Sequence, residues 1–118
     1  MSRQIGKSYE LLAKDFLKKK GLKILAENFY AYRGEIDLIC QDRDSIIFVE
    51  VRYRHTASHG SSTETVAYAK QQSIIKTAQH FLQRKGWTDR YACRFDVIGI
   101  SGDETAPIEW IQNAFDAS

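Results

Sequence analysis

Residues 34–54 read GEIDLICQDRDSIIFVEVRYR, and this stretch decides the fold. It holds two runs of strand length, Glu35 to Gln41 and Ile46 to Tyr53, rich in the aliphatic and aromatic side chains that suit a pleated surface. Asp42-Arg43-Asp44-Ser45 between them is turn chemistry, because short Asp and Ser side chains bond their own backbone. Upstream, Arg33-Gly34 marks another turn, and Leu22 to Tyr32 reads as a preceding strand. Strands on connections this short form an antiparallel meander.

Working outward, Ser2 can cap a helix from about Arg3 to Lys20. Ile5, Tyr9, Leu12, Phe16 and Leu17 recur there at helical spacing, and Gly21 supplies the stop. Downstream, His55 to Thr63 (HTASHGSST) is a polar loop, and Ser61 followed by Glu64 fits a capping box. Val66, Ala69, Ile74, Ala78, Phe81 and Leu82 then trace one apolar stripe of a long helix ending before Gly86. Tyr91 to Ile100 is a fourth strand. It is reached by a crossover helix, so it should lie parallel to the third. Gly102 to Pro107 is a loop, and Ile108 to Ile111 a short final strand whose leading proline suits a sheet edge. The order αβββαββ describes an α/β sandwich, a mixed central sheet with helices packed on it.

The chain has 118 residues, enough for one domain with one core spanning its whole length. Hydrophobic residues at 43% and charged residues at 27% argue against disorder. With 17 basic and 15 acidic residues the net charge is only +2, so nucleic acid cannot be held by bulk charge and would need local clustering. The first residues carry charges throughout and give no export signal, and there is no run of about 18 apolar residues to span a membrane. Cys40 and Cys93 sit in apolar segments and read as reduced core thiols. His55 and His59 read as loop residues. The cytoplasm is the default location.

The informative feature is acid inside apolar strands. Asp37 lies between Ile36 and Leu38, and Glu50 between Val49 and Val51. An unpaired buried carboxylate costs several kcal/mol or takes up a proton. Because their strands are hairpin partners, the two acids can face one another. They then repel unless a cation neutralises them, and an oxygen-liganded ion such as Mg2+ does that with one or two carboxylates, a backbone carbonyl and waters. The competing reading pairs both acids structurally with Arg33, Arg52 or Arg54. Arg52, two residues after Glu50, projects from the same strand face. An acid that holds a water-activating metal, beside a cation that stabilises phosphate charge, suits phosphodiester hydrolysis.

Glu10 in the first helix, GEIDLI with Asp37, and FVEVRYR with Glu50 and Arg52 resemble the bacterial YraN family. So do the Gly6…Glu10 segment, Asn28, Gly60, Lys70 and RFDVIGI at 94–100. That family is regarded as an endonuclease-like branch of the PD-(D/E)XK superfamily, distantly similar to archaeal Holliday junction resolvases. The resemblance implies a restriction-endonuclease-like αβββαβ core and a role for each residue. Asp37 and Glu50 would hold Mg2+ or Mn2+, with the Val51 carbonyl as a third ligand. Glu10 would approach through a water, and Lys70 would reach a phosphate. Arg52 stands where the superfamily has lysine. Arginine stays protonated, so this position keeps an electrostatic role and loses an acid/base one. Relatives of the resolvase kind act as two-fold dimers, so a homodimer is implied too, though no stretch of the sequence marks a dimer face.

Three functions follow as expectations: a metal-dependent nuclease on DNA, including branched forms; a nucleic-acid-binding module without turnover; and a protein-interaction domain on a nuclease scaffold. Arg33, Arg54, Lys70 and Lys76 are the cations expected to line one groove for the first two. Lys18-Lys19-Lys20 at a helix C-terminus is explained by the dipole. Tyr30, Tyr32 and Tyr53 either stack on bases or pack. Asp96 either pairs with Arg94 or supports the site. Setting Glu10, Asp37 and Glu50 aside as metal-associated leaves 12 acids against 17 cations, a more positive surface than +2 suggests.

Overall fold

A computed structural model describes residues 2–31, 34–54, 66–102 and 107–117, with side chains from Ser8 onward except that of Arg54. The elements are α1 (Ser2–Lys19), β1 (Lys23–Ala31), β2 (Gly34–Asp42), β3 (Ser45–Arg54), α2 (Tyr68–Lys85), β4 (Ala92–Ser101) and β5 (Glu109–Phe115). The strands form one sheet in the order β1-β2-β3-β4-β5. β1/β2 and β2/β3 are antiparallel, β3/β4 parallel and β4/β5 antiparallel, so the mixed α/β sandwich expected from the sequence is the fold. The last strand runs on to Phe115, further than the apolar run Ile108–Ile111 suggested.

Both helices end the same way. Leu22 N–H donates to the Leu17 carbonyl at 3.1 Å past Gly21 (φ 94), and Trp87 N–H to the Leu82 carbonyl at 2.8 Å past Gly86 (φ 72). Each is a left-handed glycine stop that satisfies otherwise orphaned carbonyls and turns the chain back toward the sheet. Helix starts follow the sequence less closely. α2 opens at Tyr68, not near Ser61, because Ala67 is extended (φ −58, ψ 146). No side chain caps it, and the Gln71 amide donates to the Val66 carbonyl at 2.7 Å. Ser61 and Glu64 lie outside the described residues. Val66 is buried ahead of the helix, whereas Ala69, expected on its apolar stripe, is exposed.

The sheet is buried on both faces. On the α2 side Ile36, Phe48, Ile74, Phe81, Phe95 and Phe115 form one cluster, in which Phe48, Phe95 and Phe115 stack in series at 5.5 and 5.0 Å. On the α1 side Ala13, Leu17, Leu38, Cys40, Ile47 and Ile98 form the other. Leu12, expected in the α1 stripe, is 48% exposed, because the buried row of that helix runs through Ala13 and Leu17. Cys93 is exposed as well, since the first residues of β4 extend beyond the helical cover. Asp96 is 1% exposed and fully satisfied. It accepts from Arg94 Nε at 2.8 Å and Nη2 at 3.0 Å, from Trp110 Nε1 at 2.8 Å and from Asn113 N at 2.9 Å. It therefore fastens β5 to β4 beside the irregularity between Phe95 and Val97, and of its two expected roles the pairing with Arg94 is the one present.

Gly34 is where α2 crosses closest to β2. A Cβ there would collide with Thr77 Oγ1, lie 2.8 Å from Ser73 Oγ and 3.2 Å from the Ser73 carbonyl. Thr77 cannot swing away freely, being fully buried with its hydroxyl donating to that carbonyl at 2.8 Å. Overpacking of this kind costs about 1–3 kcal/mol. Gly34→Ala is expected to lower the melting temperature by about 3–5 °C per kcal/mol lost. Adding Thr77→Ala should recover part of the loss, so the two changes should be clearly non-additive in thermal melts.

Candidate functional site

The β2–β3 pairing runs from Asp42↔Ser45 to Leu38↔Val49 and stops there. One step further, the carboxyl of Asp37 accepts the Val51 backbone N–H at 2.8 Å. A side chain thus replaces a ladder bond, and the strands part without orphaning a buried donor. β3 stays paired with β4 as far as Arg54↔Ser101, which keeps Glu50, Val51 and Arg52 on rigid backbone.

Two acids meet at this parting. Asp37 and Glu50 are in hydrogen-bonding contact, so the two carboxyls repel when both are ionised. Burial raises the Asp37 pKa most, the Glu50 contact and charge raise it further, and the Val51 N–H and Lys70 pull it back, leaving it at about 8. Glu50 is nearly enclosed, its side chain 12% exposed, and its pairing partner is Lys70 Nζ at 3.5 Å. From α1, Glu10 accepts from Asn28 Nδ2 at 3.2 Å. Burial raises its pKa, the Asn28 bond lowers it, and the charges of Asp37, Glu35 and Glu27 raise it again. Asn28 reaches back because its own backbone is left-handed (φ 50), a conformation asparagine tolerates.

Beside the acids, Glu50, Val51, Arg52, Val66, Ala67 and Lys70 line a groove of about 370 Å3. The structure thus brings together Glu10, Asp37, Glu50, Val51, Arg52 and Lys70. Arg33 and the Arg54 side chain lie outside the described residues. Lys76 does not share the groove. It lines a separate recess with Gln79, His80 and Gln83, because it sits on the outer side of α2. Tyr53 packs, stacking on Tyr9 at 3.8 Å and 14°, while Tyr30 stands 68% exposed, with its hydroxyl bonded to Glu35. Val66 and Ala67 carry no signal in the sequence that would place them in the groove wall. The Tyr9–Tyr53 pair has a faint one: each tyrosine adjoins a candidate residue, Glu10 or Arg52.

Among the described residues no group of three or more His, Cys, Asp or Glu side chains converges as a metal cluster. The oxygen donors present are the Asp37–Glu50 pair and neighbouring backbone. That set fits a hard divalent ion that keeps several waters, and not a site built for zinc. Among the described residues no helix is long and apolar enough to cross a membrane.

The chain matches the family described as Uncharacterised protein family UPF0102 over residues 9–100, a span that includes every residue of this site. It is 41% identical over 117 residues to a UPF0102 protein of Pseudomonas syringae pv. syringae, covering 98% of this chain and 95% of that one. It is 47% identical over 119 residues to one of Chromohalobacter salexigens, covering 98% and 94%. It is 49% identical over 113 residues to one of Vibrio campbellii, covering 95% and 92%. The chain belongs to the UPF0102 family.

The raised Asp37 pKa makes stability depend on pH. Asp37 in the folded chain holds its proton up to about 8, against 3.8 ordinarily. Between those values the folded state binds more protons than the unfolded one, so stability is greatest at the acid end and falls as pH rises toward 8. Asp37→Asn keeps the oxygen facing Val51 and removes the repulsion. It should melt several degrees above the wild type at about pH 8 and lose that advantage near pH 5. Parallel melting curves for the two proteins across this range would dismiss the protonated Asp37.

Proposed function

We propose that this UPF0102 protein is a metal-dependent nuclease that hydrolyses DNA phosphodiesters. The observation that carries the reading is the Asp37–Glu50 pair, two acids in contact and largely enclosed where β2 and β3 part. Like charges enclosed together cost stability unless a cation takes the proton's place. Asp37 and Glu50 would hold Mg2+ or Mn2+, with the Val51 carbonyl available as a third ligand. Bound there, the ion would supply an activated water and a Lewis acid.

The chain's own residues do the rest. Glu10, held by Asn28, stands on the α1 side to orient a water. Arg52, in the groove wall, offers a planar and permanently protonated fork to phosphate oxygens. Lys70 pairs with Glu50 in the free protein and would reach a phosphate lying in the groove. Two free cysteines agree with a cytoplasmic setting for DNA work. A two-fold homodimer is the assembly that a two-fold branched substrate would call for.

One residue favours a second reading. Arg52 cannot serve as a proton carrier, which suits a domain that binds DNA without cutting it.

Calorimetric titration with Mn2+ at pH 7 should show binding to the wild type with release of about one proton per ion. Glu50→Gln should abolish that release. With Mg2+ or Mn2+ the wild type should nick single-stranded, duplex, flapped or four-way DNA, and Glu50→Gln should lose about 100-fold or more. Metal binding with no cleavage of any substrate would select the binding-module reading. Equal cleavage by Glu50→Gln would remove the catalytic assignment.

A further inference from the structure

The sheet register gathers charge at the end of the molecule opposite the acids. Lys23 of β1 pairs with Gln41, Asp42 pairs with Ser45, and Ser45 pairs with Ala92 of β4, so these residues share one end of the sheet. α1 delivers Lys18, Lys19 and Lys20 to that end, just before β1 begins. α2 runs from Tyr68 beside the acids back to Arg84 and Lys85, and Arg90 follows before β4. Arg43 belongs to the β2–β3 turn. All of these cations are exposed. Among the described side chains eight cations sit here with four acids, Asp42, Asp44, Asp89 and Asp116. The other described side chains hold five cations and eight acids.

Three of these cations are held in place. Lys20 lies 5.3 Å from the Phe16 ring, Lys85 lies 5.7 and 5.9 Å from those of Phe81 and Trp87, and Arg90 lies 5.6 Å from that of Tyr91. A charge resting on a ring loses less freedom when it meets an anion. None of the large exposed apolar side chains of the described residues, Leu11, Leu12, Tyr30, Tyr53, Tyr68 and Ile111, belongs to this end. A membrane-binding surface would pair its cations with apolar groups that enter the lipid, so this surface is of a purely electrostatic kind.

We infer that this basic end is a second nucleic-acid contact, gripping the phosphate backbone away from the groove without reading bases. It rests on the proposed function for the identity of the polyanion. Lys70 and Lys85 are 15 residues apart on α2, or about 22 Å at the helical rise. At about 3.4 Å per nucleotide step, a strand lying in the groove reaches the basic end about six or seven nucleotides away. Midway, Lys76, Gln79, His80 and Gln83 line a polar recess of about 440 Å3 over which the strand can pass. The helix dipole accounts for the cations at the two helix ends, Lys18, Lys19, Lys20, Arg84 and Lys85, but not for Lys23, Arg43 and Arg90.

The test is fluorescence anisotropy with a labelled 20-base DNA, single-stranded and duplex, across a salt series, using the full chain with the charge reversals Lys20→Glu, Lys23→Glu, Lys85→Glu and Arg90→Glu combined. The wild type should bind with affinity that falls steeply with salt. The combined variant should lose about 30-fold or more, and its log–log salt slope should be shallower by about two to four. Replacing the three lysines by arginine should keep the binding. Circular dichroism melts show that each variant is folded, and if the quadruple variant is not, Lys20→Glu with Arg90→Glu alone should still lose several-fold. Unchanged affinity and slope in folded variants overturns the inference, as does binding to phosphatidylserine vesicles without binding to either DNA. Salt-dependent binding lost on charge reversal, from a protein that cleaves nothing, upholds the basic end and removes only the nuclease reading.

Discussion

The hydrogen bond from Val51 N–H to the Asp37 carboxyl is the interaction on which the site depends. A central strand that leaves its partner must put its backbone donors somewhere, because an orphaned buried amide costs about 1–3 kcal/mol. Here a side chain accepts the donor. β3 can then abandon β2 at Leu38↔Val49 while continuing beside β4, and the gap between strands becomes a place where groups on β2, β3 and both helices meet. The same carboxyl faces Glu50, so the group that ends the ladder also creates the electrostatic problem a ligand can solve.

Asp37 and Asp96 look alike in the sequence, each a single acid in an apolar strand, yet their surroundings differ. Asp96 receives four hydrogen bonds, two of them from the Arg94 guanidinium, and has nothing left to offer. Among the described residues Asp37 accepts the Val51 N–H and meets a second acid. A saturated carboxylate is a structural fastener, whereas two acids in contact are a like-charge pair that a proton or a cation offsets. Telling them apart needs Trp110 and Asn113, which a strand of modest hydrophobicity brings back across β4 by way of a left-handed asparagine (φ 54). No local pattern announces that return.

The rest of the fold was legible where local rules act alone. The turn at Asp42–Ser45, the stops at Gly21 and Gly86, and the aliphatic and aromatic runs between such signals place four strands and two helix ends within a residue or two. Legibility fails where tertiary contacts replace local ones. α2 starts without a capping side chain, Val66 is buried outside the helix whose stripe it seemed to belong to, and Leu12 yields its place to Ala13. At the site, the facing of Asp37 and Glu50 followed from hairpin logic. The ion pair that Glu50 makes with Lys70 did not, because Lys70 is delivered by a helix 20 positions on.

Net charge misleads for the same reason: it averages what the fold separates. A value of +2 suits neither end, since among the described side chains the distal end has twice as many cations as acids and the others are mostly acidic. On the proposed function this asymmetry orders events. Before an ion binds, the acids around the groove repel phosphate, and a polyanion is held only where the cations are. Asp37 and Glu50 would hold a divalent ion whose charge offsets that repulsion, in a groove about 22 Å along α2 from the basic end. A uniformly basic protein would hold DNA across the groove whether or not the ion was present. On the proposed function, segregated charge would instead make occupancy of the groove conditional on the ion, a condition that the basic end would not share.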